Sequence, residues 1–128
     1  MNFRNKALIN AAAGAAHNAA RHLALAQARP EDDITSAWIN LGNSQREACI
    51  NGTITLLEKN HTPEQSHDSW AQHLLAAGWR VGPKNVQERT HPGLVPYAEL
   101  DFQLKARNEV YCGVAKLIAA NWLSVDQS

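Results

Sequence analysis

Between Ala7 and Ala28 the chain places eleven alanines in 22 positions. Such a segment folds as a helix, because alanine gives up no side-chain entropy there. The first helix is therefore predicted over about 5–28, and Pro30 stops it. Leu8, Ala12, Ala15, Ala16, Ala19 and Leu23 recur at three- and four-residue steps. That face is apolar and small, so a neighbouring helix can approach closely. The rest of the fold has to supply that neighbour, which points to a mainly α domain.

Further helices follow from local signals. Asn43 or Ser44 can cap a second helix over about 44–59, with Ala48, Cys49, Ile50, Thr53, Leu56 and Leu57 as its apolar stripe. Gly52 costs about 1 kcal/mol relative to alanine in a helix interior, and crowding against a neighbouring helix is the expected reason for it. Thr62, Pro63, Glu64 and Gln65 form a strong helix start: a Thr cap, proline at the first helical position, and Gln where a capping box needs it. The third helix runs to Ala77, with Gly78 as its left-handed terminator and Trp70, Leu74, Leu75 and Ala77 along or beside its buried face. Asp101 can cap a fourth helix reaching about Leu123, with Val110, Tyr111, Val114, Leu117, Ile118 and Trp122 buried and fraying expected after Ser124. The apolar connection before the second helix, which holds Ile34, Trp38, Ile39 and Leu41, is expected to fold back over the core.

Between the third and fourth helices lie nineteen residues, Trp79 to Tyr97, with three prolines, two glycines and no helical period. They read as an ordered loop containing a short β-hairpin of Trp79–Val81 with Leu94–Val95. Loops of this length in a small domain tend to be functional. The expectation is one domain over 1–128: a compact four-helix arrangement carrying this one irregular excursion.

Composition removes several function classes. Twelve Lys and Arg balance twelve Asp and Glu, so no global field draws the chain to a nucleic acid polymer or an anionic membrane. No stretch approaches the length of a membrane span. Cys49 and Cys112 read as buried free thiols, and a cytoplasmic location is expected. Catalytic signatures for nucleophile elbows, phosphate loops, zinc proteases and paired Cys-x-x-Cys are missing. His61, His67 and His73 are six apart, and His17 and His22 five apart, spacings that suit no metal site. No catalytic residue, metal or cofactor is assigned. His67 and Asp68 could still form an acid/base pair with His91 if the fold joined them.

The excursion is the remaining candidate for chemistry. It holds Trp79 and Tyr97 beside Arg80, Lys84, Arg89 and His91, on a backbone stiffened by proline. An aromatic face beside fixed cations suits a purine with phosphates, because stacking contributes roughly 1–3 kcal/mol per base while Lys or Arg meets the anion.

Several separated motifs then share one pattern: His67-Asp68-Ser69-Trp70, Gly78-Trp79-Arg80-Val81-Gly82-Pro83, His91-Pro92-Gly93-Leu94-Val95-Pro96-Tyr97 with Leu100, and Lys105-Ala106-Arg107-Asn108. In order and spacing they resemble the ryanodine receptor repeat, or RyR domain, firmly from Ser66 to Ile118, with the repeat at about 62–123 and two helices before it. Gln45 to Gly52 resembles the helix preceding the repeat in stand-alone bacterial and phage versions. The resemblance implies a mainly helical fold with a small strand pair. Tandem repeats of the receptors can hold an adenine nucleotide, and prokaryotic versions occur in settings of nucleotide-derived immune signalling. By position, Trp70 is the implied stacking aromatic, Lys84 the cation after the Gly-Pro turn and Asn108 the polar group on the last helix. Trp79, Arg89, His91, Tyr97 and Arg107 stand around them. The chain departs from the receptor pattern at Val81, where an aromatic is usual, and at Asn85, where arginine is common. A lysine nearby cannot copy the guanidinium fork. The receptors also set two repeats around one site, so a homodimer or higher homo-oligomer is expected here.

The functional expectation is a non-enzymatic protein that holds a purine-nucleotide-type ligand, such as a phage protein sequestering a cyclic-nucleotide or ADP-ribose-derived signal in the host cytoplasm. The alternatives are a protein-interaction module without a small ligand, and a nucleotide-signal hydrolase with His67 or His91 as base.

Overall fold

The computed structural model of the chain describes residues 2–30 and 32–126, with backbone alone for 123–126. Four helices carry it: α1 (Lys6–Gln27), α2 (Asn43–Glu58), α3 (Pro63–Ala76) and α4 (Phe102–Asp126). A two-residue strand pair, β1 (Arg80–Val81) and β2 (Thr90–His91), sits in the excursion, and 3₁₀ turns occupy Trp38–Asn40 and Tyr97–Glu99.

α1 starts where the Asn5 side chain accepts the Leu8 backbone N–H, at 3.1 Å, and ends with Ala28 in the left-handed region at φ 52°. Its small face packs most extensively on α4. Leu8, Ile9 and Ala12 meet Ile54, Leu57 and Ala119, and Ala16 meets Leu56, Cys112 and Ala115. Alanine on both sides of the contact lets the two helix backbones approach closely. The buried arc is wider than the periodicity alone indicates, taking in Ala13, Gly14 and His17 while Ala15, Ala19 and Leu23 stay half-buried. The apolar connection explains the rotation. It folds back so that the Trp38 indole lies on Gly14, where a Cβ would fall 3.0 Å from Nε1. His17 Nε2 donates to the Ser36 carbonyl at 2.8 Å.

α4 presents Cys112, Ala115 and Ala119 to α1 and leaves Leu117 62% exposed. The expected stripe of large residues is corrected at Leu117, because an alanine-rich partner selects small residues opposite it. Asp101 caps α4 as expected, its Oδ1 accepting the Leu104 N–H at 3.0 Å. The helix runs to Asp126, past the expected end near Leu123 and into the segment after Ser124 where fraying was expected; residues 127–128 lie outside the described residues.

α2 begins at Asn43, an expected cap residue, so its cap lies one residue earlier than expected. Gly42 is its N-cap and no side chain caps it, since Asn43 is already helical. Ala48 is exposed, so the buried side of α2 consists of Thr53, Ile54, Leu56 and Leu57. The start of α3 is read correctly from sequence: Thr62 Oγ1 accepts the Gln65 N–H at 3.2 Å and Gln65 Oε1 accepts the Thr62 N–H at 2.9 Å. Its end is too, with Gly78 at φ 92°. Its buried side chains are His67 and Ala71. Trp70 and Leu75 are 38% and 49% exposed and Ala77 is also exposed, against expectation.

The strand pair is parallel, with Arg80 opposite Thr90 and Val81 opposite His91, and is not a hairpin with Leu94–Val95. Between the strands Asn85 and Thr90 exchange two antiparallel backbone bonds, and Arg89 takes φ 55° to turn the chain back. Leu94 and Val95 are used elsewhere: Leu94 is buried, and the Val95 carbonyl accepts from His67 Nε2 at 2.9 Å. Among the described residues no helix is long and apolar enough to cross a membrane.

Candidate functional site

α2 touches α3 only along a short stretch, and a cleft of about 1010 Å³ opens where they diverge over α4. The α2 wall is built from Ser44, Ala48, Gly52 and Thr55, whose three- and four-residue spacing puts them on one helix face. A Cβ placed on Gly52 meets no atom within 4 Å. The crowding expected from sequence is therefore corrected: Gly52 faces open space, and its absent side chain widens the cleft.

Tyr111 of α4 forms the back. Its hydroxyl lies 2.7 Å from Thr53 Oγ1, and Thr53 Oγ1 donates its own proton to the Cys49 carbonyl at 2.7 Å. Tyr111 is therefore the donor in the first bond. Burial pushes its phenol far above the ordinary range, so it stays protonated. Burial likewise pushes the Cys49 thiol up, which leaves the half-buried Cys49 a poor nucleophile on the cleft wall.

Opposite α2 stands a ring cluster. Trp70 packs against His67 with centroids 5.5 Å apart and against His91 at 5.0 Å, and His67 packs on Tyr97 at 5.7 Å. The polarity of both imidazoles is set by their backbone partners. A carbonyl only accepts, so His67 carries its proton on Nε2 toward Val95. His91 Nδ1 accepts the Gly93 N–H at 2.9 Å, which places the proton of the neutral ring on Nε2. Burial, then the Lys84 ammonium, then His67 hold His91 below its ordinary pKa. Gly93 makes the cluster fit, since a Cβ there would come within 3.1 Å of the His91 ring and 3.4 Å of Trp70.

Four of the eight residues nominated from sequence line this cleft: Trp70, His91, Arg107 and Asn108. No bond takes up the Asn108 amide among the described residues. Arg107 is engaged: Nε donates to Gln27 Oε1 at 2.7 Å, and Nη2 pairs with Asp32 Oδ2. The other four stand outside the cleft. The Trp79 N–H closes the end of α3 on the Leu74 carbonyl, Arg89 Nη1 donates to the Ala77 carbonyl at 3.2 Å, and Lys84 pairs with Asp33 at 3.8 Å. Tyr97 sits behind His67, with Lys105 Nζ 5.5 Å from its ring centroid. The structure brings His67 and His91 together around Trp70, and among the described residues Asp68 makes no hydrogen bond or ion pair with either.

Sequence reasoning missed Thr55, Glu47 and His61 as lining residues, along with the inward role of Tyr111. Gly52, a weak helix former in mid-helix, is the signal that could have found this wall. Glu47 and Arg107 are the lining side chains with formal charge, beside four histidines. Among the described residues no three metal-capable side chains converge.

A family model described as RyR domain matches residues 55–125, from the last turn of α2 through most of α4. No curated protein matches the sequence.

Proposed function

Because this chain belongs to the RyR domain family, we propose that it is a non-enzymatic binding protein whose cleft holds a purine-nucleotide-type ligand. The observation that carries the reading is the Trp70 indole, 38% exposed on the wall of the cleft. A base stacked there covers apolar surface that the fold leaves wet, at about 25 cal/mol per Å². Asn108, with its amide unengaged, offers a donor and an acceptor to a heterocycle edge. At about 1010 Å³ the cleft matches the upper range of small-molecule sites. The ligand is held and not cleaved in this reading: His91 is neutral with Nδ1 occupied by Gly93, and Cys49 is a protonated thiol.

The test is calorimetry and thermal shift with adenosine, guanosine and their nucleotides. A ligand at 100 times its Kd raises stability by about 2.7 kcal/mol, and Trp70→Ala should abolish the shift while the protein stays folded. The ligand should be recovered intact after heating. No shift with any purine compound overturns the reading, and a chemically altered ligand replaces it with an enzymatic one.

A further inference from the structure

Arg107 is the cation that reaches the cleft, and it is already matched. Its guanidinium is held by Asp32 and Gln27, on side chains only 21% and 16% exposed for Arg107 and Asp32. Asp32 also stands 3.6 Å from Arg29, which pairs with Asp101 at 2.8 Å. Among the described residues two guanidiniums and two carboxylates thus face one another, and Glu47 adds a negative charge on the cleft wall. The next cation, Lys84, is spoken for by Asp33, the residue after Asp32. Of these two cations only Arg107 lines the cleft, while the exposed Lys84–Asp33 pair stands outside it. Because the Arg107 pair is partly buried, salt screens it less than it screens surface charges.

We propose that Asp32 sets the charge this cleft accepts, restricting it to heterocycles with at most one negative charge and discriminating against nucleoside di- and triphosphates. The inference rests on the reading that the cleft binds a purine, and it makes Asp32 a specificity determinant acting through Arg107. Removing the carboxylate leaves the guanidinium in place with charge to spare, and the fork of Arg107 is then free to grip a phosphate in bidentate fashion.

The experiment titrates adenosine, its cyclic monophosphate and ADP, which carry none, one and about three negative charges near neutral pH, into wild type and Asp32→Asn. In wild type, adenosine and the cyclic monophosphate should bind comparably and ADP at least about tenfold more weakly, a difference of 1.4 kcal/mol. In Asp32→Asn the ADP-to-adenosine affinity ratio should rise about tenfold, and rising salt should erode that gain. Asp33→Asn, whose carboxylate partners Lys84 outside the cleft, should leave the ratio unchanged. Arg107→Gln is an independent arm should Asp32→Asn fold poorly: with the cleft's cation gone and Asp32 opposed by Arg29 alone, the ratio should fall below that of wild type. An unchanged ratio in Asp32→Asn and Arg107→Gln, or ADP binding wild type as tightly as adenosine, overturns the charge limit while leaving purine binding intact. No binding of any of the three compounds to any variant overturns the purine reading and this inference with it.

Discussion

The Trp70 indole and the His91 imidazole meet edge to face, at 77° and 5.0 Å between centroids. This packing holds the indole upright on the cleft wall, and the backbone between His91 and Leu94 makes it possible. The Gly93 N–H binds back to His91 Nδ1 within two residues, so ring orientation and loop conformation are one feature. Four consequences can be measured.

Gly93→Ala places a methyl 3.1 Å from the His91 ring and 3.4 Å from Trp70. Trp70 packs on His67 as well as His91 and the His91 ring is tied to the Gly93 N–H, so relief requires a ring or the loop to move. Overpacking of this kind costs about 1–3 kcal/mol. Denaturant unfolding should show that loss, with a change in tryptophan emission; stability equal to wild type would mean the cluster is loosely packed.

Gly52→Ala should do the opposite. No atom lies within 4 Å of the new Cβ, and the helix gains about 1 kcal/mol from the better helix former. Gly52→Leu should keep a folded protein while filling the cleft and weakening ligand binding at least about tenfold. Should the leucine variant bind as wild type does, the ligand sits elsewhere.

Thr53 and Tyr111 should respond unequally to truncation. Tyr111→Phe leaves the Thr53 hydroxyl still donating to Cys49, and costs about 0.5–1.5 kcal/mol for one lost hydrogen bond. Thr53→Val strands the buried Tyr111 hydroxyl, which adds the desolvation penalty of an unsatisfied group, about 1–3 kcal/mol. Chemical denaturation of the two variants should rank them in that order, and the reverse order would show that Tyr111 finds another acceptor.

His91 should give stability a pH dependence of defined sign. Its folded-state pKa is lowered, chiefly by burial, so the unfolded chain binds the proton more readily than the folded one. Stability contributed by His91 is then complete above the unfolded value near pH 6.5. It declines as pH falls from there to the folded value, and is flat below it. Thermal unfolding between pH 5 and 8 should show a steeper acid-side loss in wild type than in His91→Gln, and parallel curves would rule the assignment out.

Much of the fold can be read locally. The Thr62–Gln65 capping box, the left-handed Gly78, the Asp101 cap and the alanine run each depend on groups within three or four residues. The strand pair shows where such reading stops. Leu94 and Val95 have the composition of a strand, but burial of one and the His67 bond to the other draw them away from Val81.

The candidate site was half legible for the same reason. Trp70, His91, Arg107 and Asn108 could be nominated because the family motif carries them, but that Lys84 turns out to Asp33 while Arg107 turns to Asp32 could not. Arg107 and Asp32 are 75 residues apart, and nothing near either one in the chain specifies the other. Sequence alone determined the helices, several of their ends and the family, because those follow from short-range hydrogen bonding, residue propensity and motif spacing. Only the tertiary structure decided that Gly52 faces a cleft, that two imidazoles hold fixed protons around Trp70, and which carboxylate each cation meets, because burial and long-range pairing exist only once α1, α2 and α4 have packed.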